Sequence, residues 1–107
     1  MIHKRKRLFA PFAMMLGLAA CDTPHMEFRG VAPVWVKVDG STFVIRKKED
    51  RVEAIRMNKE WPPTIERVFP KAEKAIEQAT KCKMKEGSMR GDAAQMFAKV
   101  KCPKAQE

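Results

Sequence analysis

The fold of this chain is decided by the stretch Val34-Trp35-Val36-Lys37-Val38-Asp39-Gly40-Ser41-Thr42-Phe43-Val44-Ile45-Arg46. Two β-branched and aromatic runs flank Asp39-Gly40-Ser41, where glycine supplies the positive φ that a tight turn needs. This pattern is typical of a β-hairpin. A second turn at residues 47–50 leads into residues 51–57, which favour a third strand. The sequence therefore predicts a short antiparallel meander.

An amphipathic helix is predicted over residues 64–80, after a break at Trp61-Pro62-Pro63. Apolar residues recur at helical spacing from Ile65 to Ala79, and charged residues of both signs occupy the other side. Pro70 either kinks this helix or begins its longer half, where a missing N–H costs little. Neither a meander nor a single helix can bury its apolar face alone, so we expect the helix to cover the meander.

The C-terminal segment favours a second hairpin. Its apolar residues alternate on one face, and a register that sets Cys82 opposite Cys102 also sets Met84 opposite Val100. The turn then falls near Arg90-Gly91-Asp92. This tripeptide also occurs in adhesion ligands, but here we assign it to the turn.

A helix over residues 93–101 is the alternative to the second strand of this hairpin. Asp92 is a good N-cap residue, and the run from Ala93 to Lys99 has high helix propensity. We favour the strand, because the alternation ends on Cys102, which has a matching partner in Cys82.

The same register places like charges opposite each other, a destabilising arrangement across two strands. The side chains must then spread into solvent or meet an anionic surface. Solvation is the usual outcome for such a face, and contact with phosphates is the alternative. The lysines concerned are Lys81, Lys83, Lys85, Lys99 and Lys101.

The N-terminus has the three parts of an export signal. The basic cluster His3-Lys4-Arg5-Lys6-Arg7 precedes residues 8–20, which carry no charge and are too few to span a membrane at about 20 residues per crossing. The apolar run ends in Leu18-Ala19-Ala20-Cys21. This ending resembles the lipobox of bacterial lipoproteins with a type II signal peptide, of which small proteobacterial lipoproteins are examples.

The resemblance implies that residues 1–20 are removed and that Cys21 carries a thioether-linked diacylglycerol, usually with a third acyl chain on its amine. Two or more acyl chains anchor a protein stably. The protein would then be anchored to the cell membrane and face the periplasm, and Asp22 directly after the cysteine favours the inner over the outer membrane. An ordinary secretory cleavage and a short buried helix ending at Cys21 are the alternatives.

Lipidation of Cys21 would also explain the odd number of cysteines. Three cysteines in an exported protein leave one unpaired. If Cys21 is acylated, Cys82 and Cys102 remain and are expected to pair in an oxidising compartment. Two unrelated buried thiols are the alternative.

We therefore divide the chain into a signal peptide (residues 1–20), a lipidated cysteine with a tether (residues 21–33) and one small domain (residues 34–107). The expected fold class is α+β, with an antiparallel meander, one packed helix and a C-terminal hairpin closed by a disulfide. The formal charge of +9 falls to about +5 when the four cationic signal residues are removed. A moderately basic exported protein meets anionic lipids and polymers rather than nucleic acid.

Residue types needed for catalysis are sparse. After residue 20 the chain has one histidine, His25, in the expected tether, and two serines, Ser41 and Ser88, in expected turns. These do not form a Ser-His-Asp or Cys-His pattern. Zinc-ligand sets, Cys-x-x-Cys and glycine-rich phosphate loops are missing too, so we expect no catalytic residue, metal, cofactor or small-molecule substrate.

The sequence thus predicts a membrane-anchored, non-enzymatic envelope protein that binds an unknown envelope protein or acts structurally. A basic module that binds anionic lipid or envelope polymer through the five lysines is the first alternative. A cryptic enzyme is the second.

Overall fold

A computed structural model of the protein describes residues 24–104. The expected signal peptide and Cys21 lie outside these residues. A curled antiparallel sheet carries one α-helix on one of its faces, and a short 3₁₀ turn (Met26–Phe28) precedes the first strand. The elements are β1 (Val34–Val38), β2 (Ser41–Lys48), β3 (Arg51–Arg56), α1 (Ile65–Thr80), β4 (Lys83–Met84), β5 (Arg90–Gly91) and β6 (Gln95–Lys101).

The strands are arranged in the order β1-β2-β3-β6, and the short strands β4 and β5 both pair with the second edge of β6. All pairings are antiparallel. The predicted α+β fold is therefore confirmed. Residues 95–101 form a strand, as favoured, rather than the alternative helix.

The first hairpin closes through Asp39 and Gly40, which both have positive φ, at 49° and 82°. Two successive residues in this region are what a tight two-residue hairpin turn requires, and glycine adopts it without strain. The hairpin register sets Val38 opposite Ser41. The predicted turn therefore forms where the sequence indicates it.

Helix α1 begins after Thr64, whose Oγ1 accepts a hydrogen bond from the N–H of Arg67 at 3.3 Å. Its apolar side packs on the sheet and buries Val68 and Ile76, among others. The helix continues through Pro70 without a break. The predicted packing of the helix over the meander is therefore present.

The sheet has two faces of different character. The inner face, which α1 covers, holds the main hydrophobic core, built from Val36, Val38, Phe43, Ile45, Val52, Ala54, Met96, Ala98 and Val100. The alternate residues of the same strands form the outer face. By their register these include Trp35, Val44, Arg46, Glu53, Ile55 and Phe97.

A disulfide joins Cys82 and Cys102, which are 4.4 Å apart between Cα atoms. It continues the register of β4 and β6, in which Lys83 faces Lys101. The sequence predicts both this pairing and this register, and the structure confirms them.

Part of the segment before β1 packs against the sheet. The 3₁₀ turn lies on the outer face, and Phe28 within it is fully buried. Its ring stacks on that of Phe97 in β6, with centroids 6.3 Å apart. Burial of a large aromatic ring is strongly favourable, so residues 25–31 pack with the folded domain.

Candidate functional site on the outer face of the sheet

The outer face ends in four cationic residues that lie side by side on neighbouring strands. Lys48 is opposite Arg51, and Arg51 is opposite Lys99. The backbone N–H of Lys85 donates to the carbonyl of Lys99 at 2.8 Å, which extends the series past the end of β4. All four residues are exposed, and we call them the basic row.

Lys83 and Lys101 lie next to the basic row, two residues further along β4 and β6. Side chains two apart on a strand share a face, so these two lysines point to the same side as Lys85 and Lys99. We call the six cations together the basic face. Four of the five predicted lysines thus belong to the basic face. Lys81 caps α1 with a φ of 60° outside the sheet, but it lines an open cavity together with Lys83 and Lys101.

Sequence reasoning missed Lys48 and Arg51 as members of this face. They enter it only because β3 pairs with β6, which sets Arg51 opposite Lys99. Local sequence patterns contain no sign of this pairing, since 48 positions separate Arg51 from Lys99 along the chain. The one available signal was that Lys48 and Arg51 flank a predicted turn between two strands.

Acidic neighbours neutralise only part of the basic face. Arg51 Nη1 lies 3.0 Å from Oε2 of Glu27, and Lys85 Nζ lies 3.9 Å from Oδ2 of Asp50. Exposed pairs of this kind contribute little stability and exchange readily with other anions. Among residues 24–104, the remaining lysines of the basic face form no ion pair: Lys48, Lys83, Lys99 and Lys101.

An open cavity of about 380 Å³ lies beside the basic row, between the 3₁₀ turn and the loop that follows β4. Phe97 lines it together with Arg51, Lys85, Arg90 and Lys99. Cations around an aromatic surface suit an anionic group that carries an apolar part. Glu27 and Glu86 line the cavity as well, so cations and carboxylates both surround it.

Ser88 also lines this cavity, but its hydroxyl is engaged by the backbone. Its Oγ donates to the carbonyl of Lys85 at 2.7 Å and accepts from the N–H of Lys99 at 3.0 Å. These bonds fix the loop after β4 against β6. Ser88 has a structural role here and is not poised as a nucleophile, because no base contacts its hydroxyl.

A buried ion pair also lies on the outer face, two residues along each strand from the basic row. Arg46 and Glu53 face each other on β2 and β3, with Nη1 3.5 Å from Oε1. The other carboxylate oxygen of Glu53 accepts from the backbone N–H of His25 at 2.7 Å and from Nε2 of Gln95 at 2.9 Å. Glu53 thus fixes the start of the 3₁₀ turn to the sheet.

His25 contributes to this arrangement through its backbone and its ring. The imidazole meets the ring of Phe97 edge-on, with centroids 5.4 Å apart. His25 therefore acts as an attachment point of the N-terminal segment on the outer face.

No family model, curated protein or solved structure matches this chain. Within residues 24–104, no group of three or more His, Cys, Asp or Glu side chains is placed to hold a metal ion. In the same range, no helix has both the length and the hydrophobicity to cross a bilayer.

A second polar cluster lies at the other end of the sheet and includes a serine next to a lysine. The hydroxyl of Ser41 donates to Oε1 of Glu60 at 2.6 Å, and Lys71 Nζ donates to both Ser41 Oγ and Glu60 Oε2 at 3.3 Å. The bond from Ser41, followed by the bond and the charge of Lys71, lowers the pKa of Glu60.

This cluster is unsuited to nucleophilic catalysis. Ser41 is only 1% exposed, so a substrate cannot reach its Oγ. The cluster instead ties the β1–β2 turn to α1 and to the segment before it.

Proposed function

We propose that the protein is an exported lipoprotein, held at the cell membrane by a lipid on Cys21, whose domain binds anionic groups through the basic face and has no enzymatic activity. The observation that carries this proposal is the sheet register. It sets six exposed cations on one face, and four of them form no ion pair within residues 24–104.

The expected strength of the contact follows from the charges. A Lys or Arg close to an anionic membrane surface contributes about 1 kcal/mol, and the effect falls off within about 8 Å at physiological salt. The four lysines without ion pairs would together contribute about 4 kcal/mol if all reach the surface. Binding would therefore be moderate, reversible and sensitive to salt.

The anchor on Cys21 is supported by the sequence Leu18-Ala19-Ala20-Cys21 and by the disulfide. Because Cys82 and Cys102 pair with each other, Cys21 is the cysteine left over. Intact-mass measurement of the protein purified from the cell envelope tests the anchor. Removal of residues 1–20 with a mass gain of a diacylglycerol group is expected, whereas an unmodified Cys21 or an intact N-terminus would refute it.

The basic face is tested with a chain that begins at Asp22 and so lacks the lipid. This chain contains every described element and the disulfide, and is therefore expected to fold. Its binding to vesicles of phosphatidylglycerol, to vesicles of phosphatidylcholine and to an isolated anionic wall polymer is measured at low and high salt. Comparison of the vesicles with the polymer shows whether the anion that the domain binds is a lipid headgroup or part of a polymer.

Two charge-reversal variants with equal net charge provide the contrast. Lys48→Glu combined with Lys99→Glu alters the basic row, and Lys59→Glu combined with Lys74→Glu alters exposed sites away from the basic face. We expect the first pair to weaken binding by more than about tenfold, because at least 1.4 kcal/mol of attraction is lost. An equal loss in both variants would show that only net charge matters and that the basic face is no site.

A second candidate function is binding of an envelope protein by strand addition. Strand β1 is an edge of the sheet, and its Val34 and Trp35 are exposed by 46% and 58%. An extended partner segment could pair with such an edge and contact the indole. Salt-independent crosslinking from position 35 to one envelope protein, with vesicle binding absent, would favour this function over the first.

A further inference from the structure

We propose that the outer face is the side of the domain that lies on the anchoring membrane, and that the 3₁₀ turn sets this orientation. The occupant of the outer face is then the anionic headgroup layer of a lipid bilayer. This inference rests on the proposed function, since it takes Cys21 as the anchoring point.

The first step is the length of chain between the anchor and the folded domain. The backbone of His25 is bound to Glu53 at 2.7 Å, and Phe28 is fully buried. The described chain is therefore attached to the sheet from His25 onward. The four Cα steps from Cys21 to His25 span at most about 14 Å, whereas a free tether as far as Val34 would span about 45 Å.

The second step is where this short connection meets the domain. Glu53 and Phe97, which contact His25, are opposite each other on the outer face. They lie two residues along their strands from Arg51 and Lys99 of the basic row. Glu27 in the 3₁₀ turn even pairs with Arg51 of the basic row at 3.0 Å. A lipid on Cys21 therefore pulls the outer face toward the bilayer. The inner face is covered by α1.

The third step is the chemistry of the outer face. The basic face suits phosphate headgroups, which attract Lys and Arg within about a Debye length of 8 Å. Trp35, also on this face, is 58% exposed, and Met26 in the 3₁₀ turn is 74% exposed. Tryptophan is enriched at membrane–water interfaces, where the amphipathic indole is at the depth of the headgroups. Cations and an exposed indole on the side that carries the anchor match an interfacial surface.

The test uses a chain that begins at Cys21 and is coupled to a lipid by chemistry. With Cys82 and Cys102 in the disulfide, Cys21 has the remaining thiol and reacts alone with a maleimide-headgroup lipid. The vesicles contain phosphatidylethanolamine, phosphatidylglycerol and this lipid. Coupling replaces the natural modification, so the result does not depend on whether cells lipidate Cys21.

The two tryptophans of the chain report the orientation separately. Trp61→Phe leaves Trp35 on the outer face, and Trp35→Phe leaves Trp61, which is 86% exposed in the loop before α1. Quenching by acrylamide, a neutral water-soluble quencher, is compared for coupled and free protein. We expect coupling to reduce quenching of Trp35 by at least about threefold, as for an indole entering the interface, and to leave Trp61 nearly unchanged.

Equal protection of both tryptophans, protection of Trp61 alone, or no protection would overturn the orientation. A flexible Gly/Ser insertion of about ten residues after Thr23 lengthens the connection without touching the described domain. In high salt, which screens the basic face, this insertion should restore quenching of Trp35. If Trp35 remains protected there, the short connection does not set the orientation.

The coupled and the free chain also separate this inference from the proposed function. If the free chain from Asp22 fails to bind phosphatidylglycerol vesicles while Trp35 is shielded in the coupled chain, the orientation stands and the anion-binding role is refuted. If the free chain binds but Trp35 of the coupled chain is quenched as in solution, the role stands and the orientation is refuted.

Discussion

The guanidinium of Arg46 and the carboxylate of Glu53 face each other across β2 and β3, 3.5 Å apart between Nη1 and Oε1, with side chains only 7% and 0% exposed. Two charges are costly to remove from water unless they are paired and hydrogen-bonded. Here His25 and Gln95 donate to the second carboxylate oxygen and complete the arrangement. The ion pair is therefore part of what joins the N-terminal segment to the sheet.

Replacing Glu53 by leucine is expected to lower the free energy of unfolding by about 3–5 kcal/mol, because it removes the acid that the buried Arg46 faces. Urea unfolding followed by circular dichroism measures the loss. The double variant Glu53→Leu with Arg46→Met serves as the control and should recover a large part of it. A single-variant loss below about 1 kcal/mol would mean that the pair is hydrated in solution.

Phe28→Ala should destabilise the domain by about 3–5 kcal/mol, as for other buried aromatic residues, although the sequence places this residue in a tether. Met26→Ala, two residues earlier and 74% exposed, is the matched control and should change stability by less than about 0.5 kcal/mol. Equal and small effects of both substitutions would show that the 3₁₀ turn does not pack on the sheet.

The double variant Cys82→Ser with Cys102→Ser should lose about 3 kcal/mol, because the disulfide closes a loop with a sequence separation of 20. Chemical denaturation of the oxidised protein and of the variant gives the difference. Thiol titration of the denatured, non-reduced chain from Asp22 gives an independent check. It should find no free thiol, and two free thiols would contradict the pairing.

Acidification should weaken the link between the β1–β2 turn and α1. The bond from Ser41 and the charge of Lys71 hold the pKa of Glu60 below its ordinary value in the folded state. A depressed folded pKa contributes stability that is present above the unfolded pKa of about 4.3 and is lost as the pH falls through the folded pKa. Urea unfolding between about pH 7 and pH 3 should show this loss.

Glu60→Gln should reduce that acid-dependent loss, because the shifted carboxyl is no longer present. Ser41→Ala should reduce it as well, since it removes the largest cause of the shift. Glu73→Gln, at an exposed position of α1, controls for the loss of one carboxylate. An unchanged pH dependence in Glu60→Gln would show that other groups are responsible.

Much of the fold could be predicted because the signals are local. Asp39 and Gly40 specify the hairpin turn, and Thr64 with the apolar spacing after it specifies the start of α1. Pairing of Cys82 with Cys102 in turn fixes the register of β4 and β6. This register sets Lys83 opposite Lys101.

The rest depends on contacts between residues far apart in the sequence. Phe28 is a single apolar residue between polar neighbours, so no period reveals that it is buried. A glutamate in a strand usually faces solvent. The burial of Glu53 is explained only by its ion pair with Arg46 and by the 3₁₀ turn that covers it. For the same reason the basic face was predicted from β4 and β6 alone, without the cations of β2 and β3.

The position of β6 has a consequence for the order in which the domain can form. This strand is the last in the sequence, yet it lies inside the sheet, between β3 and the two short strands β4 and β5. A nascent chain that has not yet released Gln95–Lys101 leaves one edge of β3 unpaired and lacks the partner of Cys82. Completion of the sheet and formation of the disulfide therefore wait until residues 95–102 have been synthesised.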